Sequence, residues 1–309
     1  MDNGKRRVLF IACVLTCATP WIGTATALVM GVLFSFTLGN PWPQQSAHYS
    51  KVILQLSVVG LGFGLSLGEV LRTGSDSIIY TVAGIGCTLI AGSLLGKLFK
   101  TDRNTSALIS FGTAICGGSA IAAMAPVLKA KDDETAVALA TVFTLNSVAL
   151  LLFPAMGHLL NLDQTVFGAW AGLAIHDTSS VVGAASVYGA QALTVGTTVK
   201  LTRAIWIAPV AMGTALFMKS EQKAGVPLFI IGFALAATLH TILPQFAVLW
   251  GGLTAVAKQC LVVSLFLVGA GLSRDALKIV GLRPLLQGVT LWLLVSCLTL
   301  AALLSFGMA

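Results

Sequence analysis

Gly112-Thr113-Ala114-Ile115-Cys116-Gly117-Gly118-Ser119 interrupts one membrane-length apolar segment, and sixty residues on Gly172-Leu173-Ala174-Ile175-His176-Asp177-Thr178-Ser179 interrupts another. At that fixed offset Gly, Ala-Ile and Ser coincide, and Ala125, Val127 and Ala130 match Ala185, Val187 and Ala190. An unwound backbone inside a bilayer persists only where protein or a water-filled cavity satisfies its polar groups. Interrupted helices near the midplane, often in related pairs, are how secondary transporters build binding sites. The pair therefore points to a transport site more than to two structural spans.

The composition sets the surroundings of these breaks. Of 309 residues 57% are hydrophobic and 9% charged, and the mean hydropathy is +0.93, which excludes an ordinary soluble domain. Apolar runs of about 20 residues, enough to cross a hydrocarbon core, recur along the whole length. We read residues 1–309 as one integral membrane domain, scaffold and core helices interleaved, with no soluble domain. The six cysteines lie in apolar runs without a CxxC pair, so they read as small buried hydrophobes rather than metal or disulfide ligands. The net charge of +7 sits at segment ends, not in one patch, and argues against nucleic acid as a partner. Lys5-Arg6-Arg7 before an apolar run imitates a signal peptide, but no small-x-small cleavage site follows, so an uncleaved first helix is expected.

The spans expected from hydropathy are Val8–Thr19, Trp21–Leu38, Val52–Leu71, Ile78–Leu98, Thr105–Leu128 and Glu134–Met156. They continue with Val166–Tyr188, Thr197–Met218, Val226–Phe246, Thr254–Leu272 and Pro284–Phe306. The fold class is an all-α polytopic membrane protein with ten or eleven transmembrane helices, two of them interrupted. Whether those two cross fully or re-enter as hairpins is open at this level. With eleven crossings and an internal N-terminus, twelve Lys and Arg fall inside, among them Lys219, Lys223, Arg274 and Lys278. Four fall outside (Arg72, Lys129, Lys131 and Lys258). The bias places the N-terminus in the cytoplasm. A second echo, Gly62-Phe63-Gly64-Leu65-Ser66 against Gly269-Ala270-Gly271-Leu272-Ser273, lies seven crossings apart and so runs in opposite directions, as an inverted repeat would. Trp21, Trp42 and Trp250 read as interfacial anchors.

Few residues in these spans can carry chemistry. Asp177 is the acid set most clearly in apolar surroundings, with Glu69 a weaker second; an ionisable group at membrane depth marks function by default. His176 beside it titrates near neutral pH, and at an unwound break both side chains can face one cavity. This pair is assigned to coupling. Lys200 and Arg203, three apart and on one helical face, are the natural anion ligands, since a guanidinium fork suits oxyanions. Cys116, Gly117, Gly118 and Ser119 offer backbone amides with little bulk, and Thr178 and Ser179 repeat the arrangement after the second break. Asn146, a lone polar residue in its span, reads as a core hydrogen-bonder rather than a site residue. No cofactor or metal is implied.

At these residues the chain resembles the bacterial inner-membrane group known as the sulfate exporter family. The resemblance rests on Gly112-Thr113-Ala114-Ile115-Cys116-Gly117-Gly118-Ser119-Ala120-Ile121, on Gly172-Leu173-Ala174-Ile175-His176-Asp177-Thr178 and on Lys200-Leu201-Thr202-Arg203. The family pattern continues after the histidine with a glutamate and Ala-Gln; here Asp177 and Thr178-Ser179-Ser180 stand instead. The shorter acid keeps the charge and changes its reach. The resemblance extends to the cation/proton antiporter and anion transporter superfamily. It implies inverted repeats, a core with crossing or re-entrant broken helices, and an elevator-like motion against a scaffold.

The expectation is a secondary active exporter of a small anion (sulfate, sulfite, sulfonate or carboxylate class) in the bacterial inner membrane, with protons as the candidate coupling ion and the lipid bilayer as its surroundings. A homo-oligomer is an open possibility. A passive anion channel is the alternative, needing the same positive lining without a coupling acid. An intramembrane hydrolase built on His176, Asp177 and Ser179 ranks below both, because no nucleophile elbow accompanies them. The chain is accordingly not expected to be an enzyme.

Overall fold

A computed structural model describes residues 3–218, 228–271 and 281–306. Among these residues every regular element is helical: α1 Asn3–Cys17, α2 Thr24–Thr37, α3 Pro43–Gly62, α4 Leu67–Leu98, α5 Arg103–Ala114, α6 Gly118–Val127 and α7 Asp132–Leu159. The order continues with α8 Gln164–Ala174, α9 Thr178–Tyr188, α10 Ala190–Ile205, α11 Ile207–Met218, α12 Leu228–Ile242, α13 Ala247–Gly271 and α14 Leu282–Phe306. Four stretches, Leu67–Leu98, Asp132–Leu159, Pro244–Gly271 and Leu282–Phe306, are helical, long and apolar enough to cross a membrane. Several expected spans are thus divided between shorter helices. Four of the internal basic residues, Lys219, Lys223, Arg274 and Lys278, lie outside the described residues, as do Leu272 and Ser273 of the second echo.

The chain forms two compact units, Met1–Leu71 with Pro227–Arg274, and Arg72–Val226 with Asp275–Ala309. In the first, α13 packs on α2 and α3, and α12 on α3. Its core joins Phe10, Phe34 and Phe266, with Trp42 edge-on to Phe10 at 5.8 Å. Two glycines let α2 and α13 approach closely: a Cβ on Gly269 would lie 2.5 Å from the Leu28 carbonyl oxygen, and one on Gly31 would meet the Phe266 carbonyl. Helices in lipid associate largely through such small-residue contacts. Trp250 is a packing residue rather than an interfacial anchor. It is buried, stacks on Phe63 at 5.0 Å and donates its indole N–H to the Leu243 carbonyl at 2.9 Å. Trp21 is exposed.

Three boundaries differ from hydropathy, each for a local reason. The expected span Val52–Leu71 ends early at Gly62, and Leu67 onward joins one long helix through Arg72 and Asp76. Ser66 and Glu69 start that helix: the Ser66 N–H donates to the Glu69 carboxylate at 2.9 Å, and the Glu69 N–H to Ser66 Oγ at 3.2 Å. This reciprocal pair is a capping box, so Glu69 is a helix start and not a membrane-depth acid. Second, the expected Thr197–Met218 is two helices, with α10 starting earlier, at Ala190, and stopping at Ile205. Pro209 lacks an N–H and its ring clashes with the carbonyl four residues back, that of Ile205. Arg203 therefore sits in the last turn of α10. Third, a 3-10 turn at Pro244–Phe246 leads into α13. The cysteines divide as well: Cys17 and Cys116 are buried, but Cys87 and Cys297 are exposed on α4 and α14.

Gly269→Val should cost about 1–3 kcal/mol by overpacking the α2–α13 contact and lower the melting midpoint in detergent. A Cβ on Gly251 meets nothing within 4 Å, so Gly251→Ala should leave the midpoint unchanged or raise it.

Candidate functional site

Both quoted stretches are helix breaks in the second unit, and the sixty-residue offset carries over to the backbone. α5 ends at Ala114 and α8 at Ala174; α6 begins at Gly118 and α9 at Thr178. The two breaks differ in conformation. The first turns tightly through Gly117, at φ 63° and ψ −126°, a region that residues with a Cβ rarely adopt. The second runs extended through Ile175 and Asp177. They lie against each other: a Cβ on Gly117 would sit 3.4 Å from the His176 carbonyl and from Cβ of Asp177.

Two cations of α10 tie the broken ends together. Lys200 Nζ donates to the Ile115 carbonyl at 3.1 Å and the Ile175 carbonyl at 2.7 Å. Arg203 Nε donates to the Ala114 carbonyl at 2.6 Å, and its Nη1 donates to the Leu173 carbonyl. Each side chain thus takes one carbonyl from each broken helix. A helix leaves its last four carbonyls unpaired and carries about −0.5 charge at that end. Bringing two such ends together in an apolar interior is unfavourable unless cations answer them, and Lys200 and Arg203 are 0% and 1% exposed.

Glycines make that reach possible. A Cβ on Gly168 would lie 2.7 Å from the Ala192 carbonyl oxygen, and one on Gly172 would lie 2.9 Å from that of Gly196. The backbones of α8 and α10 therefore approach closely enough for side chains one turn farther along α10 to meet the end of α8. On the other side, Gly112 closes against Ile121 and Val142, and Asn104 donates to Glu134 at 3.0 Å to tie α5 to the start of α7.

The remaining named residues divide by exposure and partner. Asp177 is half-buried and caps α9, its carboxylate accepting from the Ser179 N–H at 3.0 Å. It forms no salt bridge with Lys200 or Arg203; among the described residues the salt bridge found is Arg72–Asp76 at 4.0 Å. Cys116, Gly117 and Thr178 are buried, Gly118 and Ser179 half-buried, and Ser119 exposed. α6 starts without a side-chain cap, in contrast to α9. His176 is fully buried, and neither ring nitrogen has a hydrogen-bond partner within the protein. Arg203 Nη2 is likewise buried and unpartnered. Leaving such a group unmatched costs about 1–3 kcal/mol.

Asn146 also reaches the site, which reading it as a core residue missed. It is 4% exposed on α7, and its Oδ1 accepts from the Asp177 N–H at 3.2 Å. One turn earlier on the same helix, Phe143 lies where a Cβ on Gly118 would be 2.9 Å from its ring. α7 therefore lies along both breaks. A lone Asn in an apolar span was the available signal, though nothing in the sequence paired it with residue 177.

The family model described as Conserved hypothetical protein 698 matches residues 10–288. The chain is 70% identical over 303 residues to a UPF0324 membrane protein of Geobacter sulfurreducens, covering 97% of this chain and 98% of that one. It is 50% identical to a UPF0324 membrane protein of Bdellovibrio bacteriovorus, over 96% and 94% of the two chains. A third, from Bacteroides thetaiotaomicron, is 50% identical over 92% of this chain and 87% of its own. No solved structure matches the chain.

Gly117→Ala should cost about 1–3 kcal/mol of backbone strain. Thermal unfolding of the purified variant in detergent checks it; a midpoint equal to wild type would show that the tight turn is not required.

Proposed function

The chain belongs to the Conserved hypothetical protein 698 family, whose relatives are named membrane proteins, and from that premise we propose that it is a secondary active transporter of a small anion, working as an exporter. The observation that carries this reading is the crossing itself, two helix breaks held on Lys200 and Arg203. The four half-helix ends there roughly cancel, with about −0.5 at each C-terminus and +0.5 at each N-terminus. The two cations then outweigh Asp177 by about one unit of formal charge. A buried region of net positive charge with unpartnered donors attracts an anion and disfavours a cation.

In this reading the half-helix starts, Cys116 to Ser119 and Thr178 to Ser179, cradle the substrate. Arg203 and Lys200 supply the field. Their carbonyl bonds make them structural as well, so their charge reaches the anion mainly through Arg203 Nη2. Asp177 with His176 forms the coupling point, a half-buried carboxylate beside a fully buried imidazole. The substrate class is sulfate, sulfite, sulfonate or carboxylate. The second unit, which holds both breaks, is the core, and the first is the scaffold. The topology is the ten- or eleven-span arrangement with inverted repeats and a cytoplasmic N-terminus in a bacterial inner membrane.

Anion flux into proteoliposomes tests the assignment. Arg203→Ala should lose at least 90% of wild-type flux, and undiminished flux would overturn the reading. Asp177→Asn keeps an equally good N-cap while removing the proton site. It should retain anion exchange and lose accumulation driven by a proton gradient. Uphill transport that survives both Asp177→Asn and a protonophore would remove the proton from the mechanism.

A further inference from the structure

The amide of Asn146 has one orientation that its surroundings allow. Its partner is the backbone N–H of Asp177, a donor, so the atom facing it must be the carbonyl Oδ1. That leaves Nδ2, a two-proton donor, buried beside the second break with no hydrogen-bond partner within the protein. The side chain as a whole is 4% exposed.

Two other orphaned nitrogen groups lie at the crossing, Arg203 Nη2 and the ring of His176. Asn146 hydrogen-bonds to the break directly, Arg203 bonds to the carbonyls that end α5 and α8, and His176 lies within the second break. The three come from three different elements. Two of them present donors only, and an imidazole presents at least one donor more. Such a set, with more donors than acceptors, suits an anion with several acceptor oxygens better than a cation.

We propose that Asn146 is a specificity-determining residue of the transport site, its Nδ2 donating to an oxygen of the bound anion while its Oδ1 holds Asp177. This rests on the anion-transporter reading and adds to it a ligand from α7, outside both broken helices. The amide works as a two-sided link. Its acceptor side fixes the backbone of the coupling residue, and its donor side reads the substrate, so occupancy of the site and placement of Asp177 depend on one side chain.

Two substitutions separate these two sides. Asn146→Asp keeps an acceptor of the same reach for the Asp177 N–H, and Asn146→Thr keeps one a bond shorter; both lose the amide donor, and only the first adds charge. Purified full-length protein is titrated with sodium sulfate, methanesulfonate and acetate, following the thermal midpoint and, for whichever anion binds wild type, the affinity by calorimetry. The expected result is that both variants unfold near the wild-type temperature without anion and bind at least tenfold more weakly. Binding within threefold of wild type in either folded variant overturns the proposal and leaves the transporter reading standing. Failure of both variants to fold makes Asn146 a structural residue and also overturns it. If wild type binds none of the three anions, the transporter reading itself fails, and this proposal with it.

Discussion

Two helices that end inside an apolar interior, side by side, impose the condition on which the second unit depends. Each end exposes carbonyls that lipid cannot satisfy and a partial negative charge that repels the other. The structure meets that condition with one element, α10, which places Lys200 and Arg203 one turn apart so that each bonds to both ends. Much else follows from this arrangement. α8 must lie close to α10, which Gly168, Gly172 and Gly196 permit, and α10 must stop where Pro209 stops it so that Arg203 falls in its last turn.

Because the cations are committed to backbone, the crossing is both a structural joint and a site. The bonds of Lys200 and Arg203 hold the two breaks in register, while their charge remains only partly offset by the helix ends. The breaks themselves are not equivalent. The first has a tight glycine turn and leaves α6 uncapped; the second is extended and has Asp177 as a cap. One therefore contributes a tight turn of small residues, and the other contributes His176 and Asp177, with α7 lying along both.

Much of this was legible in the linear sequence. The breaks fell where the paired signature placed them, because glycine and small polar residues inside apolar runs have few other uses in a membrane helix. The pairing of Lys200 with Arg203 on one face followed from helical spacing. The capping box of Ser66 and Glu69 was also written in the sequence as Ser-x-x-Glu, but the polar stretch after it was read as a loop. Hydropathy does not register i,i+4 pairs such as Arg72 and Asp76, which let a helix continue through charge. Trp250 was misplaced for a related reason: indole suits an interface and a packed core equally well, and the choice rests on whether Phe63 lies opposite.

By itself the sequence determined the class of protein, the positions of both breaks and the identity of the buried cations, since each depends on local composition and on the cost of charge in lipid. Only the tertiary structure decided what those cations touch, that the two breaks meet at Gly117 and His176, and that Asn146 belongs to the site. Those facts depend on residues 25 to 89 positions apart coming into contact. Such contacts are set by how closely glycine-bearing helices pack, and no periodicity along the chain encodes that distance.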